Sequence, residues 1–223
     1  MPGRFSLPRH RHLRAYATVV LAGCFEEFGY SGRIRATAGD VLIHPSLDCH
    51  GNQMVSDGVK LIRFDWTDSS EVGGLFHLEE VDEIARSAEK DLTEAGCLLE
   101  HALEHRVRSP GQKNDWPDLL LNELAQNVST EIGVWAELNG LARETVSRGF
   151  SAAYGIAPSI LRAELRARSA WLRITRGPEC LCRIAAETGF ADQAHMTRWV
   201  HRITGAAPGV WRRNAFALQG PSC

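Results

Sequence analysis

The chain has 223 residues, 44% hydrophobic and 23% charged, with a formal net charge of −2. This is a globular composition, long enough for one large domain or two modest ones, each with its own core. The longest apolar run, Tyr16 to Gly23, is far short of the roughly 20 residues that a membrane-spanning helix needs, and Met1-Pro-Gly-Arg-Phe-Ser lacks the apolar core of a signal peptide. The expectation is a cytoplasmic protein with no membrane partner.

Charge is distributed unevenly. Residues 128–214 hold twelve arginines, no lysine and seven acids, a local charge of +5, so the remainder carries −7. A basic C-terminal half joined to an acidic N-terminal half suggests a nucleic-acid module attached to something else. Of the six cysteines (Cys24, Cys49, Cys97, Cys180, Cys182 and Cys223), none forms a C-x-x-C pair. Cys180-x-Cys182 has the wrong spacing for a zinc knuckle, and no second pair follows it. They read as reduced, mostly buried thiols, with redox sensing as the alternative.

Residues 1–66 read as β structure. Tyr16-Ala-Thr-Val-Val-Leu is a β-branched run ending at Gly23; Cys24 to Phe28 and Arg33 to Ala36 flank the turn Gly29-Tyr-Ser-Gly32; Gly39-Asp40 turns into Val41-Leu-Ile; Lys60 to Trp66 alternates as a half-buried strand does. Many short strands predict a small barrel or sandwich. Residues 67–110 change character. Leu78, Val81, Ala85, Ala88, Leu92, Ala95, Leu99 and Leu103 form one apolar stripe, on one helix or on two broken near Gly96, opposite an acidic face. The stripe packs either on the barrel or on a second copy of itself. Arg108 to Asn114 is a linker by composition, and Asp115-Trp-Pro-Asp118 starts an all-helical region, residues 115–213.

That region contains an internal repeat. At a shift of 50, Val146-Ser147-Arg148 pairs with Met196-Thr197-Arg198, Phe150 with Val200, Gly155-x-x-Pro158 with Gly205-x-x-Pro208, and Leu161-Arg162 with Trp211-Arg212. Upstream the shift is 49, pairing Ala136 with Ala185 and Gly140 with Gly189, so the second unit has one extra residue in its turn. Each unit has helix-turn-helix grammar: a small residue where two helices cross, a glycine for the sharp turn, then an apolar anchor (Leu141 or Phe190). The second helices, about 142–154 and 192–204, expose Arg143, Glu144, Ser147 and Arg148, and Gln193, Ala194, Thr197 and Arg198. Arginine can pair with guanine, glutamine with adenine, and small residues can touch thymine methyls; a merely solvated face would carry similar residues. A protein-binding helical repeat is disfavoured, because solenoids usually need three or more repeats.

From about Leu119 to Arg213 the sequence resembles the AraC/XylS regulators, most specifically in Ile184-Ala-Ala-Glu-Thr-Gly-Phe-Ala-Asp-Gln-Ala-His-Met-Thr-Arg-Trp-Val-His-Arg-Ile-Thr-Gly. The resemblance implies two helix-turn-helix subdomains joined by a long helix, about Pro158 to Thr175, with both recognition helices in successive major grooves. It puts Glu144, Ser147, Arg148, Gln193, Thr197 and Arg198 at or near DNA. Where the family often has a capping Ser or Thr, Ala142 and Ala191 stand here; a lost cap costs roughly 1 kcal/mol, which Asp192 offsets in part through the helix dipole.

The N-terminal part resembles the small cupin barrel that many such regulators carry. His10-x-His12 and His50, with Asn52 after it, match the positions of the cupin metal motifs, while Tyr16 stands where the motif has Glu. The resemblance implies that His10, His12 and His50 could hold Zn, Ni or Fe; otherwise these histidines line a pocket, or join Arg9, Arg11 and Arg14 at a basic surface. The expected architecture is α+β: a cupin-like sensor barrel, a helical connector suited to dimerisation, and an all-α DNA-binding domain. The expected function is sequence-specific transcription regulation on double-stranded DNA under a small-molecule effector, with RNA polymerase contact and homodimerisation open to such a chain. A regulator whose barrel only dimerises, and a cupin metalloprotein or enzyme with a fused helical tail, are the alternatives. No catalytic residue is assigned, and an enzyme is not expected.

Overall fold

The computed structural model describes residues 5–67, 73–104, 106, 107, 109, 115–127 and 129–218, with side chains through 215. It divides into two compact units, residues 1–118 and 119–223. The first holds strands β1 (Ser6–Arg11), β2 (Tyr16–Ala22), β3 (Cys24–Gly29), β4 (Gly32–Thr37), β5 (Asp40–His44), β6 (Cys49–Met54), β7 (Lys60–Asp65) and β8 (Gly74–His77), then helices α1 (Asp82–Ala88) and α2 (Leu92–Leu103). The strands form two antiparallel sheets, β1-β6-β3-β4 and β7-β2-β5-β8. They share no strand, so the barrel is not closed.

Side-chain alternation explains the layers. On β2, Ala17 and Val19 face away from the first sheet, as do Val41 and Ile43 of β5 and Phe64 of β7. Together they form one core with Ile84 of α1 and Ala95 and Leu99 of α2. The opposite parity gives a second core between the sheets: Val20, Leu42 and Leu75 against Phe25, Ile34 and Ala36. The β7-β2-β5-β8 sheet is thus covered on both faces, which is why Tyr16 to Val20 is a continuous buried run.

Two expectations change here, and one left open is decided. The β structure extends past residue 66, because β8 pairs with β5 (Val41 opposite Phe76); its short, glycine-led sequence gave no strand signal. The apolar stripe packs on the sheet of its own chain, so residues 82–103 belong to the β unit's core. Leu78 lies ahead of the helices, and the break falls at Asp91, which caps α2 by accepting from the amides of Thr93 and Glu94; Gly96 is inside α2. Apart from Ser109, whose amide bonds Leu75 O at 2.7 Å, the linker expected at Arg108 to Asn114 lies outside the described residues.

The remaining helices are α3 (Trp116–Gln126), α4 (Ile132–Leu138), α5 (Arg143–Tyr154), α6 (Pro158–Arg176), α7 (Leu181–Glu187), α8 (Gln193–Thr204) and α9 (Pro208–Leu218). The two short turns each use a left-handed glycine, Gly140 (φ 66°) and Gly189 (φ 78°), and the helices after them end on left-handed Gly155 and Gly205. Pro158 opens the long helix α6. Val146, Phe150 and Tyr154, and Met196, Val200 and Ile203, are the buried stripes of α5 and α8. Among the described residues, no helix is long and apolar enough to cross a membrane.

Candidate functional site

The interior parity of the β unit gathers its polar residues into one place. Tyr16 and Thr18 of β2, Glu27 of β3, His44 of β5, His50 and Asn52 of β6 and Arg63 of β7 line a cavity of about 170 Å³ with His10 and His12, beneath apolar Leu7, Phe25, Met54 and Leu61. Register does part of the work: His10 sits opposite His50 across the β1–β6 pair. The rings of His10 and His50 lie 4.7 Å apart, and those of His10 and His12 4.8 Å apart. The three expected metal residues are thus brought together, with ligand atoms all within 4.8 Å of one another. Because His50 is buried, they do not form a basic surface.

Beneath them lies a carboxylate that sequence reasoning missed. Asp48 Oδ2 accepts from Nδ1 of His44 (2.9 Å) and of His50 (3.0 Å). Burial would raise this carboxyl, yet the two imidazole hydrogen bonds hold it well below the usual carboxylate range. Burial alone would lower His44, but Glu27 and Asp48 together raise it above its ordinary value. Asp48 is aimed inward by Leu47, a buried residue in the left-handed region (φ 62°), where a β-carbon is unfavourable. Its amide bonds His12 O at 2.9 Å, tying this turn to the end of β1.

Two sets of ligands share His50: His10/His12/His50 and Glu27/His44/His50. The second is already engaged, since Asn52 donates to Glu27 at 2.9 Å and His44 to Asp48. The first is open. His12 Nε2 is buried without a hydrogen-bond partner among the described residues. His10 donates through Nδ1 to Pro8 O (2.9 Å) and His50 through Nδ1 to Asp48, which turns Nε2 of each toward the cavity, that of His50 within reach of the Tyr16 hydroxyl. His12 is lowered to about 4, first by burial and then by the charges of His50, Arg63, His10 and His44, so at neutral pH it is an uncharged imidazole. The residues present therefore fit a divalent ion. Tyr16, in place of the motif's Glu, donates its hydroxyl to His50 Nε2 at 3.1 Å. Burial, then Glu27 and Asp48, push this phenol above its ordinary value, so it stays protonated. Glu27 of β3 lines the same cavity but groups with His44 and His50 rather than with His10 and His12. Period-two parity around Glu27, His44 and Arg63 was the signal that could have found these residues.

In the helical unit, Arg143, Glu144, Ser147, Arg148, Gln193, Ala194 and Arg198 are exposed and Thr197 is half-buried. They begin the second helix of each turn, opposite its buried stripe. Two differ in posture. Arg143 folds its guanidinium over Gly133 of α4, where an added β-carbon would meet it at about 3 Å, and Arg148 Nε reaches Glu144 O at 3.4 Å. The capping expectation is corrected for the second unit. The cap of α8 is Asp192, not Ala191, and its side chain accepts from the His195 amide at 2.6 Å. The extra turn residue is therefore itself the cap. Ala142 caps α5 with no side-chain bond. The cysteines are also less buried than expected: of the five described, only Cys49 is buried, while Cys97, Cys180 and Cys182 are exposed.

Residues 135–214 match the helix-turn-helix domain family model. That segment is a helix-turn-helix domain, the class of fold that docks a helix in a DNA groove. Solved structures similar to it include ToxT from Vibrio cholerae (10% identity, 99% of this chain and 97% of that one, TM-score 0.42). Similar over the C-terminal part are the C-terminal domain of the response regulator yesN from Fusobacterium nucleatum subsp. nucleatum (20% identity, 42% and 94%, 0.39) and a probable AraC family regulator from Rhodopseudomonas palustris (18%, 43% and 93%, 0.40). No curated protein sequence matches.

Proposed function

We propose that this chain is a cytoplasmic, sequence-specific regulator whose helices α5 and α8 read successive major grooves, and whose β unit binds a small-molecule effector over a divalent metal. The observation that carries the DNA reading is the repeated exposed face: Arg143, Glu144, Ser147 and Arg148 on α5, and Gln193, Ala194, Thr197 and Arg198 on α8, are all solvent-facing or half-buried. Helix N-terminal residues at such positions meet base edges when a recognition helix enters the major groove. Two such helices per chain allow one chain to span adjacent grooves, so a homodimer is not required for this docking.

The effector reading rests on the cavity. It joins an imidazole-lined floor to an apolar upper wall, the usual composition of a small-molecule site. His10, His12 and His50 would hold Zn, Ni or Fe, which would supply a Lewis-acidic position for an oxygen or nitrogen of the effector. Control of DNA affinity then requires that the effector bind one arrangement of the protein better than another. Where the DNA site lies relative to RNA polymerase sets activation or repression. A regulator role leaves no catalytic group to assign.

Metal analysis of the purified protein tests this, with melting measured with and without added Zn²⁺, Ni²⁺ or Fe²⁺. The reading requires near-stoichiometric metal, or a rise in melting temperature that His12→Ala and His50→Ala remove. No metal and no shift with any ion would remove the metal and leave the cavity as a metal-free pocket.

A further inference from the structure

Cys180 and Cys182 have no part in the functions described so far. They flank Leu181 at the start of α7, the first helix of the second helix-turn-helix, and both are exposed. Their Sγ atoms lie 2.9 Å apart and share a hydrogen bond. A disulfide needs about 2.05 Å, so closing the bond asks for an approach of only about 0.9 Å. The shared hydrogen bond couples the two: Cys180 is lowered, first by the thiol of Cys182, and Cys182 is raised by the same contact. The two thiols titrate as a pair, and the thiolate that forms first accepts a hydrogen bond from the thiol that remains.

The neighbourhood links this pair to the DNA-binding unit. Glu179, one residue before it, is held by Arg173 of α6 (Nε to Oε2 3.0 Å), and its carbonyl accepts from Arg212 of α9 at 2.6 Å. Arg183 bonds Glu187 at 2.8 Å along α7. The start of α7 is therefore fixed on both sides, and α7 buries Ile184 and Ala185 in the unit's core. A covalent change at Cys180 is carried into that helix rather than lost in a loose loop.

We propose that Cys180 and Cys182 form a peroxide-sensitive dithiol whose oxidation to a disulfide weakens DNA binding by the second helix-turn-helix unit. The Cys180 thiolate attacks one oxygen of hydrogen peroxide; the O–O bond breaks, an S–O bond forms, and the leaving hydroxide takes a proton to become water. Cys182 then attacks the sulfenic sulfur; the S–O bond breaks, the S–S bond forms, and a second water leaves with the Cys182 proton. Two thiols are oxidised by two electrons and one peroxide is reduced to two waters.

The DNA half of this proposal rests on the helix-turn-helix reading; the chemical half does not, and the test separates them. Full-length protein is treated with hydrogen peroxide, digested without reductant, and read by mass spectrometry. In parallel, its affinity is measured for a duplex enriched by the reduced protein from a random pool. The expected result is a peptide spanning residues 180–182 lighter by two hydrogens and restored by dithiothreitol. Affinity should fall about fivefold, the size of a disturbed helix start. Cys182→Ser should trap Cys180 as a sulfenic acid that a dimedone probe labels. Cys180→Ser/Cys182→Ser should bind DNA as the reduced protein does and ignore peroxide. The proposal is overturned if both thiols stay reduced or go separately to sulfinic acids, if the disulfide forms with affinity unchanged, or if the double variant still loses binding in peroxide. Failure of the reduced protein to bind any duplex would instead count against the helix-turn-helix reading.

Discussion

The two helix-turn-helix units share a pattern and part company at the turn. In the first, two residues separate Gly140 from the start of α5, the cap position is Ala142, and no side chain satisfies the first amides. In the second, three residues separate Gly189 from α8, and the third, Asp192, accepts from the His195 amide. The first unit also begins its recognition helix with Arg143, folded over Gly133, and with Glu144, which repels phosphate; the second begins with neutral Gln193 and Ala194. The extra turn residue has thus given the second unit a cap, and the matched positions Gln193 and Ala194 carry no charge where the first unit has Arg143 and Glu144. The second unit should be the better ordered and the stronger reader of DNA.

The largest effect that can break this comparison is in the first unit's core. Phe150 is fully buried and packs on Tyr154 with ring centroids 4.7 Å apart. Phe150→Ala should destabilise the fold by about 3–5 kcal/mol through the cavity it leaves, seen as a lower urea midpoint; a loss below 1 kcal/mol would mean that α5 is not packed as described. Next is readout. Arg198→Ala should weaken specific binding by about 1–3 kcal/mol, and Arg148→Ala by less, because Arg148 is drawn back toward Glu144 O. Equal losses would remove the asymmetry. Smaller still is the cap: Asp192→Ala should cost roughly 1 kcal/mol, and Ala142→Asp should give the first unit a similar gain. Thermal melts of the two variants should move in opposite directions.

The β unit supplies a pH prediction. The folded value of His12, about 4, lies below its ordinary 6.5. Between those values the unfolded chain binds a proton that the folded chain refuses, so this residue's contribution to stability falls as pH drops from 6.5 to 4. His44, raised in the fold, acts in the opposite sense: its contribution is present below its ordinary value and is lost as pH rises through the raised one. His12→Gln should therefore flatten the loss of melting temperature between pH 6.5 and 4. An unaltered slope would show that His12 is not held neutral.

Legibility followed the kind of information each region uses. The helical unit was readable because its signals are local: left-handed glycines, prolines at helix starts, and apolar residues four apart, all written twice. Even so, the extra residue in the second turn was recognised by its spacing, whereas its role as the cap was visible only in the geometry of Asp192. In the β unit, His10, His12 and His50 could be picked out by the resemblance of their spacing. Strand parity could place Glu27 and Arg63 on an interior face but not in this cavity, because they reach it through strand pairings between distant segments. Asp48 depends instead on the left-handed Leu47, a conformation that its residue type argues against. Strand β8 was lost for a similar reason: four residues carry no periodicity, and only pairing with β5 makes them a strand.

The measurement that tests the central claim most directly is selection of binding sites from a random duplex library with purified full-length protein at moderate salt. The account predicts two short motifs about one helical turn apart, with the stronger base preference in the half that Arg198→Ala relaxes. A single motif in one groove, or no enrichment at all, would contradict a protein that reads DNA through both α5 and α8.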